Sequence, residues 1–351
     1  MTGDILFERR GAAGIVTLNR PKALNAVTHA MVLALGAQLD QWADDPAVTR
    51  VVITAAGERA FSAGGDIRAL YDLGKAGRHN EALQFWRDEY PLNVAIKNYR
   101  KPYVALIDGI AMGGGVGVSV HGSHRVAGDR FSFAMPEVGI GFFPDVGATW
   151  FLPRLPGELG TYYALTGERL GVADAVASGI ATHRIPSARF AALLDGLTGT
   201  VSVDAILAAF TEPAEEGPLM QRRAMIDRLF VGDMVENILA AVEREASSAS
   251  ADAEWAAKIS AIMRAKSPLS LKLALAQVRR GKTWDFETCM RMEFRIVSRV
   301  IHGHDFYEGV RAVIVDKDNK PHWRPATLPD VSEQEVERHF APLGSSELVL
   351  P

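Results

Sequence analysis

Short β-branched runs alternate with helical segments along residues 1–200 and then cease, and this alternation constrains the fold more than any other feature. ILFERR and GIVTLNR flank a glycine-rich stretch at Gly11–Gly14, the pattern of a hairpin. RVVITAA (Arg50 to Ala56), YVALIDGI (Tyr103 to Ile110), HRVAG and RFSFAM follow as further strands. Between them, Thr28 to Asp45 places Met31, Leu35, Leu39 and Trp42 at helical spacing and stops at Pro46. Asp66 to Leu73 is helical, and Asn80 to Tyr99 is an amphipathic helix expected to break or kink near Pro91. Strands separated by helices pair in parallel, because only a crossover returns the chain to the same edge. The expectation is an α/β core over residues 1–200. From residue 201 to residue 351 the repeats are helical only (AILAAF, MVENILAAVERE, SLKLALAQVRR, FETCMRMEFRIVSRVI), giving a helical C-terminal region. The tail from Asp316 is polar, contains proline and should wrap the surface.

The 38 basic and 42 acidic residues leave a net charge of -4 without a basic block, so neither nucleic acid nor an anionic membrane is an expected partner. An anionic ligand would need a local cationic or amide-rich pocket. Cys289 is the only cysteine, which excludes an internal disulfide and a multi-cysteine metal site; its neighbours FETCMRMEF place it in the core. MTGDILFERRG reaches acidic residues at once and lacks the apolar stretch of a secretory signal, so a cytoplasmic location is the expectation. No apolar run approaches the ~20 residues of a membrane helix.

Several catalytic patterns fail. After Gly115 and Gly117, Val120 stands where G-x-G-x-x-G needs its last glycine, and Gly117-Val-Ser119-Val-His121 misses the nucleophile elbow by its final residue. His121 with His124, and His302 with His304, lack companions at metal-ligand spacing and read as structural, so no metal is expected. Two glycine clusters remain, FSAGGDI (Phe61 to Ile67) and GIAMGGGVGVS (Gly109 to Ser119), each passing from strand to helix. Glycine lets a backbone approach a ligand closely, and a helix start leaves N–H groups unpaired. Two such turns facing one point would form an oxyanion hole. One cluster alone is better explained by tight packing. FSFAMPEVGIGFFPDVGATW (Phe131 to Trp150) adds two acids, Glu137 and Asp145, in an otherwise apolar stretch, where burial without partners is costly.

NRPKALNAVT, FSAGGDI and GGGVG in this order resemble the crotonase (enoyl-coenzyme A hydratase/isomerase) superfamily. The likeness continues through AMPEVGIGFFPDVGATWFLPRL, ALTGERL, SGIATH, KSPLSLKLAL and GHDFYEGVRAVIVDKDNKPHWRP, nearly the whole chain. It implies a spiral of ββα turns over residues 1–200, with residues 201–351 completing the site and the contacts of a homo-oligomer, trimer or hexamer. It implies an acyl-coenzyme A substrate, with no cofactor beyond the coenzyme A that the substrate carries. By position, the oxyanion donors are the amides of Gly65 and Gly114. The SAGGDI turn, with Ala63 and Asp66, would cradle the adenine, and Lys22 lies in a region that approaches coenzyme A.

One departure selects a branch of the superfamily. Hydratases add water across a C=C bond with two glutamates, the first three residues beyond the middle glycine; here that position is Gly117. The second glutamate persists as Glu137, while Asp145 stands where simple hydratases have a small residue. This pair, with Glu89 in FWRDEY lining the pocket, resembles the thioesterase branch that acts on short 3-hydroxyacyl thioesters in valine breakdown. Hydration needs an acid and a base at opposite ends of the double bond. A thiol leaving group with a pKa near ~8.5 departs with less help. Glu137 would then attack the thioester or activate water, with Asp145 on the 3-hydroxyl.

Overall fold

A computed structural model describes residues 3–351. Strands β1 (Ile5–Arg10) and β2 (Ala13–Leu18) form the expected antiparallel hairpin, paired from Ile5 with Leu18 to Arg10 with Ala13. Helix α1 (His29–Asp44) follows, its N-terminus capped by Thr28, whose hydroxyl accepts from the Met31 amide. Strands β3 (Arg50–Ala55) and β4 (Ala60–Ser62) lead into helices α2 (Ile67–Lys75) and α3 (His79–Lys97). Next come β5 (Tyr103–Ile107), β6 (Ile110–Met112), the short helix α4 (Gly114–Gly117), β7 (His124–Ala127), β8 (Ser132–Ala134) and β9 (His183–Arg184).

The strands sort into two sheets. One has six strands in the order β1-β2-β3-β5-β7-β9, parallel from β2 onward; the other has three, β4-β6-β8, all parallel. Each turn of chain therefore lays one strand in the large sheet and the next in the small one before returning. That is the spiral of ββα turns.

Two expectations need correction. The run Tyr103 to Ile110 is two strands in different sheets, split at Gly109, whose φ of +119° and tight fit against the Arg59 backbone leave no room for a side chain. The second concerns the break near Pro91: α3 continues through that residue as a single helix. A single missing N–H is tolerated there because the helix is wedged in the core by Phe85, Trp86, Tyr90, Leu92 and Val94.

Beyond β9 only helices and irregular chain occur. Phe190–Leu197 and Val203–Phe210 cover one face of the large sheet, burying Leu193, Leu197, Ile206 and Leu207 against Ile15, Val52, Val104 and Val126. The other apolar core runs continuously from Ile5 to Leu348 and takes in the helices Pro268–Gly281 and Phe286–Val300. Cys289 is fully buried within the latter helix. Among the described residues no helix is long and apolar enough to cross a membrane.

Candidate active site

Because β4 and β6 are parallel neighbours, the glycine turns at their C-terminal ends meet. A Cβ on Gly114 would lie 3.1 Å from the Gly65 nitrogen, and one on Gly113 would lie 3.3 Å from the Gly64 Cα. Gly65 is held by an isolated bridge to Val27: the Val27 amide donates to Gly64, and the Asp66 amide donates to Val27. Both neighbours face Val27, so the Gly65 N–H faces the other way. Gly114 opens α4, where an N–H has no carbonyl four residues back. Neither N–H has an acceptor among the described residues.

Carboxyl groups gather beside this pair. Glu89 Oε1 is 2.8 Å from the Cβ position of Gly114, so a larger residue there would collide with that carboxyl, and Glu137 Oε1 is 3.4 Å from the Cβ position of Gly113, in contact with it. Glu89 comes from the middle of α3, Glu137 from the turn after β8, and Asp145 from the loop beyond it. All three are buried. Glu89 Oε1 and Glu137 Oε2 have no hydrogen-bond partner among the described residues, whereas Asp145 Oδ2 accepts from the Tyr90 hydroxyl at 3.0 Å.

Burial drives the proton affinities upward. Desolvation raises Glu137 and Glu89 well above the usual carboxylate range, and the charge of Asp145 and then Glu293 adds to both. Desolvation pushes Asp145 up to about 7 against the opposing hydrogen bonds from Tyr90, its own amide and Trp86. Such a cluster cannot be fully ionised. It keeps protons, and its protonated members become hydrogen-bond donors.

A cavity of about 580 Å³ holds the whole arrangement, and Ala63, Gly65, Asp66, Glu89, Gly114, Glu137 and Asp145 all line it. The oxyanion donors, the acids and the residues of the SAGGDI turn expected from sequence are thus brought to one place. Asp66 contributes as a fixed rim: its carboxylate caps α2 through the Ala69 amide and pairs with Arg20 at 3.0 Å. Lys22 is exposed and lies outside the lining. The histidines do not gather: His121 is bound to the Val146 carbonyl, His124 to Asp204, and His302 packs against His79.

Gly117 is more than a missing side chain. A Cβ there would sit 2.8 Å from Asn93 Nδ2 and 2.9 Å from Val146 Cβ, so the slot is filled. Asn93 itself is fully buried, with both amide atoms unpartnered among the described residues.

Sequence reasoning missed Trp86, Tyr90, Asn93, Lys266 and Glu293. The first three share a face of α3 with Glu89 by the spacing 86, 89, 90, 93, a helical signal that was available. Glu293 interrupts the buried stripe Phe286, Met290, Val297, Val300 of its helix, and an acid in such a stripe is also readable. It is fully buried, and desolvation pushes it up to about 8, with the charge of Asp145 adding. Lys266 lines the cavity and forms no ion pair among the described residues; burial lowers its pKa.

Comparison with known proteins fits this geometry. A family model described as enoyl-CoA hydratase/isomerase matches residues 13–340. The chain belongs to that family. It is 46% identical to the 3-hydroxyisobutyryl-CoA hydrolase of Danio rerio, over 99% of this chain and 92% of the relative. With the human protein of that name it shares 42% identity, over 98% and 90%. A solved structure described as a carnitinyl-CoA dehydratase from Mycobacterium thermoresistibile superposes with a TM-score of 0.93 at 43% identity, covering 99% of this chain and 98% of that one. One described as an enoyl-CoA hydratase from Rhodobacter sphaeroides gives 0.92 at 40%, covering 99% and 100%. The crotonase-type α/β fold read from sequence is therefore the fold of this chain.

Proposed function

We propose that this protein hydrolyses the thioester of 3-hydroxyisobutyryl-CoA, or of a related short 3-hydroxyacyl-CoA, releasing the hydroxy acid and coenzyme A in valine catabolism. The observation that carries the reading is one cavity holding two acceptor-free N–H groups beside three buried carboxyls, with the slot at Gly117 closed. The full-length identity to hydrolases of that name supports the substrate.

The amides of Gly65 and Gly114 form the oxyanion hole, receiving the thioester oxygen as it gains charge. One such donor is worth about 10²–10³ in rate. Glu137 supplies the attack in its ionised form, while the proton that the cluster keeps rests on its neighbours: it either adds to the carbonyl carbon to give a mixed anhydride or takes a proton from the water that adds. The C–S bond then breaks, and the electron pair leaves on sulfur as thiolate; in the anhydride route a water then adds to the intermediate, releasing the hydroxy acid and restoring the Glu137 carboxylate. Asp145, steadied by Tyr90, holds the substrate's 3-hydroxyl, and Glu89 completes the wall beside it. Lys266 offers a positive charge on the cavity wall to the phosphates of coenzyme A. The chain needs no cofactor in this scheme, works in the cytoplasm and assembles as a trimer or hexamer. Light scattering and cell fractionation test the last two points.

The test is thiol release from 3-hydroxyisobutyryl-CoA by wild type and Glu137→Gln. A loss of about 10³-fold or more is expected; near-normal turnover in the variant refutes the assignment. A hydratase reading is favoured by the descriptions of the two solved relatives. It is opposed by Asn93 and Val146 occupying the space a first glutamate would need. Steady absorbance of an enoyl thioester incubated with the protein is the expected outcome.

A further inference from the structure

Asp145 sits on a strained piece of backbone that side chains from elsewhere hold on both sides. Val146 has φ of +51°, in the left-handed region, where a β-branched residue is a genuine outlier, and it is fully buried. Such a conformation persists only when its surroundings over-determine it. Three buried polar residues do so. Gln277, on the helix Pro268–Gly281, donates its amide to the Pro144 carbonyl. His121, just beyond α4, places Nε2 2.6 Å from the Val146 carbonyl. Burial depresses its pKa to about 3, so the ring is neutral and Nε2–H is the donor. Glu293 accepts from the amides of Gly147 at 2.8 Å and Thr149 at 2.9 Å. The bonds fall on the residues immediately before and after Asp145 and on the turn that follows. None of the three lines the substrate cavity.

We infer that His121, Gln277 and Glu293 form a clamp whose task is to hold residues 144–149 in the strained conformation that aims the Asp145 carboxyl at the substrate. They are positioning residues acting through Asp145, and the inference rests on the role proposed above for that residue. Tyr90 cannot do this work alone, because its hydroxyl reaches the Asp145 side chain and not the backbone beneath it.

The experiment is a double-mutant cycle on thiol release from 3-hydroxyisobutyryl-CoA. His121→Phe and Gln277→Leu each remove a donor, and each is measured alone and with Asp145→Asn. A loss in kcat of about ten- to a hundredfold per folded enzyme is expected in the wild-type background, the effect of a small misplacement of a reacting group. KM should stay nearly constant. In the Asp145→Asn background the same substitutions should cost less than about twofold, the limit of simple additivity. His121→Gln, which keeps an N–H donor, should restore most of kcat. If His121→Phe does not fold, Gln277→Met carries the same expectation. A full additional loss in the Asp145→Asn background, or a fall in melting temperature with kcat unchanged, overturns the clamp. If Asp145→Asn alone keeps wild-type kcat, it is the role of Asp145 that fails; if Asp145→Asn is impaired while the clamp variants are not, only the clamp fails.

Discussion

Putting back the hydratase glutamate, Gly117→Glu, should not make a hydratase. Gly117 lies outside the left-handed region, so no backbone strain opposes a side chain, and space alone decides. The Cβ by itself would stand 2.8 Å from Asn93 Nδ2, 2.9 Å from Val146 Cβ and 3.1 Å from Val146 Cγ1. All three atoms belong to fully buried residues that cannot swing into solvent. Overpacking of this kind costs about 1–3 kcal/mol. With 351 residues the chain has an unfolding entropy of about 0.7 kcal/mol/K, so Gly117→Ala should lower Tm by about 1–4 °C. The glutamate adds the burial of a further carboxyl among groups that already repel one another, several kcal/mol more, for a total of about 5–10 °C. Displacing Val146 also moves Asp145, so thioesterase kcat should fall in both variants. Scanning calorimetry gives Tm, and the absorbance of an enoyl thioester reports hydration. A Gly117→Glu protein that melts with the wild type and hydrates the enoyl thioester would refute the reasoning.

Asp145→Asn should lose about ten- to a hundredfold more activity on 3-hydroxyacyl than on plain acyl thioesters, as expected for loss of a charge-assisted contact to the hydroxyl; equal losses in a substrate panel would remove that role. Asp145 is pushed up to about 7 and Glu293 to about 8, so the folded state holds protons that the unfolded chain gives up near ~4. Their contribution to stability is present at acid pH and is lost as pH rises from about 4 to about 8. The fall in Tm between about pH 5 and pH 8 should therefore be shallower in Asp145→Asn than in wild type, and a steeper fall would contradict the sign. Cys289 is fully buried and burial pushes its thiol up to about 12, so iodoacetamide should label it only after denaturation; rapid labelling of the native protein would show the helix to be open.

Sequence by itself determined what depends on local pattern. Alternating β-branched and helical runs dictated parallel strands with crossovers, and two glycine turns marked where backbone could approach a ligand. Glu137 and Asp145 stood out as acids in an apolar stretch, whereas Glu89, beside Arg87 and Asp88, came only from the family resemblance. The tertiary structure decided everything that depends on contacts between distant segments. It split Tyr103 to Ile110 between two sheets, because only the approach of Arg59 makes Gly109 a corner. It turned an absent side chain at Gly117 into an occupied slot, since Asn93 and Val146 come from other elements. It also bound the Asp145 loop to His121, Gln277 and Glu293, residues up to 146 positions away from the groups they hold. Periodicity records which face of an element is buried. It does not record which partner lies against that face, and the partner sets both the strain at Val146 and the proton affinity of the acids.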